Sequence, residues 1–176
     1  MNEHQKFLLD KTISRIDFYI NSINSKASFY IAFNTFIIGA IILRYSDIVS
    51  KFSYPKIQYI IPLILLIIAI GCFLSIYFVI MAVTPYLKSG NQPSSYHSLL
   101  FFGSIAEMEL DVFMNNIKDS DDTKLQDDLA RQVHVLSVGL SSKFKNISKS
   151  TFCITYFVLL PIGALALCQS IDWFIK

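Results

Sequence analysis

Glu107 and Asp111 stand four residues apart, a spacing that stacks two carboxylates one helical turn from each other and makes half of a carboxylate metal site. The other half, a Glu-x-x-His on a facing helix, is missing, so the pair reads as a solvated face. His4, His97 and His134 are scattered along the chain. His134 lies beside an apolar stripe, where it either hydrogen-bonds a ligand or occupies a helix surface. Cys72, Cys153 and Cys168 sit in apolar stretches without C-x-x-C spacing, and an odd number does not make a disulfide framework; they read as small packing residues. The chain has no nucleotide-hydrolysing Gly-rich loop, no H-E-x-x-H and no G-x-S-x-G. These absences point away from an enzyme, and no resident metal or cofactor is expected.

What the chain has in abundance is apolar surface. Of 176 residues, 53% are hydrophobic, 14% aromatic and only 16% charged, too few polar groups to cover a compact soluble domain. The expected home is a lipid bilayer. A nucleic-acid partner is excluded by charge: the net value is +2, and between residues 84 and 149 seven basic residues face eight acids.

Three segments are long enough to cross about 30 Å of hydrocarbon, which needs roughly 20 helical residues, and a lipid-exposed backbone must satisfy its own hydrogen bonds. The expected fold is therefore an all-α membrane protein with three transmembrane helices and a small cytoplasmic helical bundle. Residues 1–26 form a cytoplasmic amphipathic helix, 27–44 the first crossing, 45–56 an external loop, 57–84 the second crossing, 85–149 a cytoplasmic helical region, 150–172 the third crossing and 173–176 an external tail. The first crossing is short, and Lys26 and Arg44 relieve this by extending their charged ends outward. It is not read as a cleaved signal, because an amphipathic segment precedes it and no A-x-A site follows. Lysines and arginines number eleven on the side holding the N-terminal segment and four on the other, which makes the larger side cytoplasmic. Tyr45, Tyr54, Tyr59 and Trp173 then gather at the outer interface, where amphipathic rings are favoured.

The cytoplasmic stretches carry helical stripes. Leu9, Ile13, Ile16, Ile20 and Ile23 recur at steps of four and three and lead straight into the first crossing. Thr84-Pro85 marks a break, and residues 89–93 read as a turn. Phe101, Ile105, Met108 and Val112 share one face of a helix whose other face holds Ser104, Glu107, Asp111 and Asn115. After the polar run 118–123, with Ser120 as the expected N-cap, Leu125, Leu129, Val133, Leu136, Leu140, Phe144 and Ile147 make the cleanest stripe in the chain. None of these helices has a core of its own, so the stripes are expected to bury one another, and subunit contacts of a homo-oligomer are a further use for them. Continuous helices into the first and third crossings would transmit any rearrangement of the bundle.

Within the bilayer, Asn34 needs a hydrogen-bond partner and is expected to face another helix, either as internal packing or as a pore-facing or subunit-joining group. Pro161 removes a backbone donor in the third crossing and is expected to kink it. Gly163, with Ala164 and Ala166, offers a surface for close helix approach.

These residues resemble a known family. "NSKASFYIAFN" is similar to the "A-D-x-K-A … N" signature of the Pycsar transmembrane effector family, with Lys26, Ala27 and Asn34 at matching spacing and Asn24 where the family commonly carries Asp. "LLFFGSIAEM", holding Phe101, Phe102 and Gly103, resembles its "FFG-x-I" element, and "QVHVLSVGLSSKF" its late helix. The resemblance implies an antiphage effector of the bacterial inner membrane. A companion cyclase makes a cyclic pyrimidine mononucleotide on infection, the effector binds it, and the membrane loses integrity so that the infected cell dies. Recognition of that ligand needs cationic donors for phosphate and stacking or edge contacts for the base. Arg131 and Lys143 are the phosphate candidates, His134 and Phe102 the base candidates; Arg131 has an alternative partner in Asp127 one turn earlier, and Phe102 an alternative place in a core. A membrane scaffold docking a partner protein, or a channel subunit gated by something else, is the rival reading.

Overall fold

The computed structural model describes residues 3–52, 55–85 and 98–175, with side chains described within 3–52, 58–85 and 98–170. The expected turn at 89–93, His97, and the rings of Tyr54 and Trp173 lie outside these. The chain runs α1 (Glu3–Ser50), α2 (Pro55–Val83), α3 (Phe102–Glu107), α4 (Leu110–Lys118), α5 (Asp122–Cys153), a π-helical segment (Ile154–Leu159) and α6 (Leu160–Ile175).

Helix length alone shows that α1 serves two environments. Its 48 residues extend about 72 Å at about 1.5 Å each, more than twice the hydrocarbon thickness. Among the described residues, α1, α2 and the continuous run from α5 into α6 are long and apolar enough to cross a membrane. Phe29, Phe36, Leu66 and Phe73 are more than half exposed on these spans, a surface compatible with lipid and prohibitive in water. The chain is an all-α membrane protein.

The fold divides into two compact units, Met1–Ser22 with Pro85–Ser142, and Ile23–Thr84 with Lys143–Lys176. In the first, Ile16 is buried and Leu9, Ile13 and Ile20 are half-buried, whereas Lys6, Asp10, Arg15 and Asp17 are exposed. In the second, Phe52, Ile61, Leu65, Ile68, Cys72 and Val158 form the apolar core, against which Phe33, Ile37 and Ile41 of α1 also pack. Helix α2 packs on the π-helical segment and α6.

Two local expectations differ from what is seen, and a third position shows an unexpected winding. The helix expected through Phe101, Ile105, Met108 and Val112 breaks at Met108 and Glu109, whose ψ angles of 144° and 145° are extended. A continuous helix would stack the like charges of Glu107 and Asp111; the break instead moves Asp111 into the first turn of α4, where an acid is favoured. The cap of α5 is Asp121 rather than Ser120: Asp121 Oδ1 accepts the Lys124 amide at 2.7 Å, while the Ser120 hydroxyl closes α4 by donating to Ile117 O at 2.6 Å. Ahead of Pro161 the helix widens into the π-helical segment, with the Leu160 amide bonded to Thr155 O, a pairing that re-registers the backbone next to a residue lacking its own N–H.

Candidate functional site

Two polar constellations stand out, one in each unit. In the water-facing unit, Asp128 and Gln132 lie on the face of α5 that also carries Leu125, at steps of three and four. Asp128 is 5% exposed, and its Oδ2 accepts the Ser98 hydroxyl at 3.0 Å and the Leu99 amide at 2.8 Å. The Ser98 oxygen in turn accepts the amides of Leu100 and Phe101 and the side-chain amide of Gln132, at 3.1, 2.9 and 3.0 Å. One hydroxyl thus folds the chain into a tight turn and fastens it to α5. The turn delivers Phe101 and Phe102 to the start of α3, their rings tilted at 4.9 Å. Gly103 follows because the Phe101 ring lies over it: a Cβ there would come within 2.5 Å of Phe101 Cε1. This gives the "FFG" element a steric reason.

The residues singled out for nucleotide recognition are placed as follows. Phe102 is 67% exposed and His134 is exposed. Arg131 Nε donates to Asp127 Oδ2 at 2.8 Å on the solvent side of α5. Lys143 belongs to the spanning unit; its ammonium donates to the carbonyls of Ala82 and Thr84 at 2.7 and 2.9 Å, capping the C-terminal end of α2, where a cation is favoured. Burial lowers its pKa from the ordinary lysine value. Glu107 and Asp111 fall on separate helices, and among the described residues no group of three or more His, Cys, Asp or Glu could hold a metal ion. His4 is exposed.

In the spanning unit, Asn34 is fully buried, and its side-chain amide donates to Tyr30 O at 2.7 Å and to Ser75 Oγ at 2.8 Å. Ser75 Oγ lies 2.8 Å from Ser150 Oγ, both fully buried, and Tyr30 Oη lies 2.9 Å from Thr151 Oγ1. The amide of α1 is therefore joined to α2, and α2 to α5. A close helix contact is made at Gly71, where a Cβ would come within 2.5 Å of Phe157 Cβ and 3.2 Å of its carbonyl carbon. At Gly163 a Cβ meets nothing within 4 Å, and the residue is exposed, so the expected close approach there is not made within the chain. Pro161 is half-buried. Of the remaining family-motif residues, Asn24 and Lys26 are exposed and Ala27 is buried. A groove of about 300 Å³, lined by Ile41, Leu65, Ile162 and Leu165 among others, is apolar and suits an acyl chain better than a phosphate.

Sequence reasoning missed Ser98 and Asp128, because a buried carboxylate inside an otherwise charged helix has no signature of its own. It also missed Ser75, Ser150 and Gly71. Ser75 is a polar residue in an apolar run and was the available signal for a partner to Asn34.

Three helices long and apolar enough to cross a membrane, two of them continuing from charged stretches, define an all-α membrane protein. The family model described as Pycsar effector protein domain matches residues 8–169, and the chain belongs to that family. It is thus an antiphage defence effector of the membrane, in a family of effectors that implies a cyclase-derived signal. No curated protein and no solved structure matches it.

Proposed function

We propose that the chain senses a cyclic pyrimidine mononucleotide, cUMP or cCMP, through its cytoplasmic helices and responds by impairing the inner membrane, killing the infected cell. The observation that carries this reading is continuity: α1 and α5 each pass from a charged, striped stretch into a membrane-crossing stretch without a break in the helix. A ligand that biases the first stretch then acts on the second through a stiff element. In this reading the N-terminus and residues 85–149 are cytoplasmic and the C-terminus external, following the distribution of basic residues. Arg131 meets the phosphate and exchanges its exposed Asp127 partner for it; His134 and Phe102 meet the base. Lys143, whose ammonium is engaged by the Ala82 and Thr84 carbonyls in the other unit, is left out of this site.

To invert a 1:99 equilibrium the ligand must prefer the active state by about 5 kcal/mol, which favours several sites acting together in a homo-oligomer. The exposed Leu110, Met114 and Ile117 along one side of α4 supply apolar surface for such an assembly. Calorimetry of the full chain in nanodiscs against cUMP, cCMP, cAMP and cGMP, paired with dye release from liposomes, tests the proposal. One pyrimidine species should bind and trigger release. A chain that binds none of them belongs to the scaffold reading, and one that leaks without ligand to the constitutive-channel reading.

A further inference from the structure

The spanning unit hides its polar atoms where lipid-facing positions are apolar. Asn34, Ser75 and Ser150, one from each crossing helix, are all fully buried, while Phe29, Phe36, Leu66 and Phe73 face outward. Both protons of the Asn34 amide are committed, to Tyr30 O and Ser75 Oγ. Rotating the amide does not help, because it would turn Oδ1 toward the Tyr30 carbonyl, a second acceptor. Asn34 Oδ1 therefore remains buried without a donor among the described residues. The hydrogen bonds from Asn34 to Ser75 and from Ser75 to Ser150 hold the three helices together, yet they leave that acceptor unmet. Water entering the row would satisfy this acceptor. Tyr30 and Thr151, joined at 2.9 Å and less buried, continue the row toward the surface of the unit.

We infer that the row Tyr30, Asn34, Ser75, Ser150 and Thr151 is the latent lining of the path along which water and small ions cross when the membrane is impaired. The inference rests on the proposed function and names the surface that performs it. These five side chains carry no formal charge. Such a lining hydrates ions of either sign and selects neither. The leak should therefore show a reversal potential near zero in a potassium chloride gradient.

The test is access from water. In a chain with Cys72, Cys153 and Cys168 replaced by alanine, Ser75→Cys should resist a charged methanethiosulfonate at rest. It should react at least about tenfold faster once cUMP or cCMP is added, as expected when a buried thiol becomes a hydrated one. The lipid-facing Phe73→Cys should stay inert throughout. Release of dye with Ser75→Cys still protected overturns the lining while leaving the leak itself standing. Absence of any nucleotide-triggered release from the unaltered chain overturns the proposed function and the lining together. Should the cysteine variant fail to fold, Asn34→Leu in the unaltered background decides: nucleotide affinity unchanged and release about tenfold slower supports the lining, roughly one hydrogen bond lost on the barrier, and unchanged release overturns it.

Discussion

The Asp128 carboxylate holds the Ser98 hydroxyl at 3.0 Å across 30 residues of sequence, with the Leu99 amide on the same oxygen. Together with the Gln132 side-chain amide on the Ser98 oxygen, this contact brings residues 98–101 onto α5. Asp128→Ala would leave a buried hydroxyl and amide unpaired, a loss of about 3 kcal/mol in the water-facing unit. Hydrogen exchange across residues 98–107 should rise sharply in the variant, and Asp128→Asn, which keeps an acceptor oxygen, should recover part of the protection.

Gly71 and Gly163 make opposite predictions from the same substitution. Gly71→Ala forces a Cβ to within 2.5 Å of Phe157 Cβ and 3.2 Å of Phe157 backbone, atoms that cannot swing aside. Overpacking of this kind costs about 1–3 kcal/mol, so the midpoint of thermal unfolding in detergent should fall. Gly163→Ala meets open space and should leave the monomer's midpoint unchanged.

Arg131→Gln removes an ion pair that is 46% and 61% exposed at its two side chains, worth less than about 1 kcal/mol to the fold. The variant should keep its fold with a stability loss below about 1 kcal/mol and bind the cyclic nucleotide at least about tenfold more weakly. Wild-type affinity in calorimetry would remove Arg131 from the site.

Lys143→Met takes two donors from the carbonyls of Ala82 and Thr84 and should cost about 1–2 kcal/mol, given partial exposure of the site. The pH dependence has a definite sign. Because burial lowers the folded-state pKa of Lys143, the unfolded chain holds the proton to higher pH, and stability rises as pH climbs from the lowered value toward the ordinary lysine range. The neutral amine still has two N–H donors for the two carbonyls, so the bonds survive the titration. Denaturation monitored from neutral to alkaline pH should show this rise in the wild type and not in Lys143→Met.

The three crossings and the stripe from Leu9 to Ile23 were legible because lipid and helical periodicity act on many residues at once. The family, too, was carried by motifs that recur in order along the chain. The cap of α5 and the break at Met108 were not, since each depends on which of two adjacent polar residues wins a single hydrogen bond or escapes a single repulsion. At the candidate sites, Asn34 announced itself as an amide in a hydrophobic run. Its partners did not, because serine is tolerated in any membrane helix, and only the approach of α1, α2 and α5 makes Ser75 and Ser150 a chain of donors. Asp128 was hidden for the reverse reason, as one acid among many on a charged helix.

The wide turn at Ile154–Leu159 also sets the winding of everything beyond it. A π turn accommodates one residue more than an α turn over nearly the same rise, so returning this stretch to ordinary α winding would swivel Leu160–Ile175 by about 100° about its own axis. The more than half of the crossing that lies beyond it would then present a different set of side chains to its neighbours with no helix melted and almost no change in length.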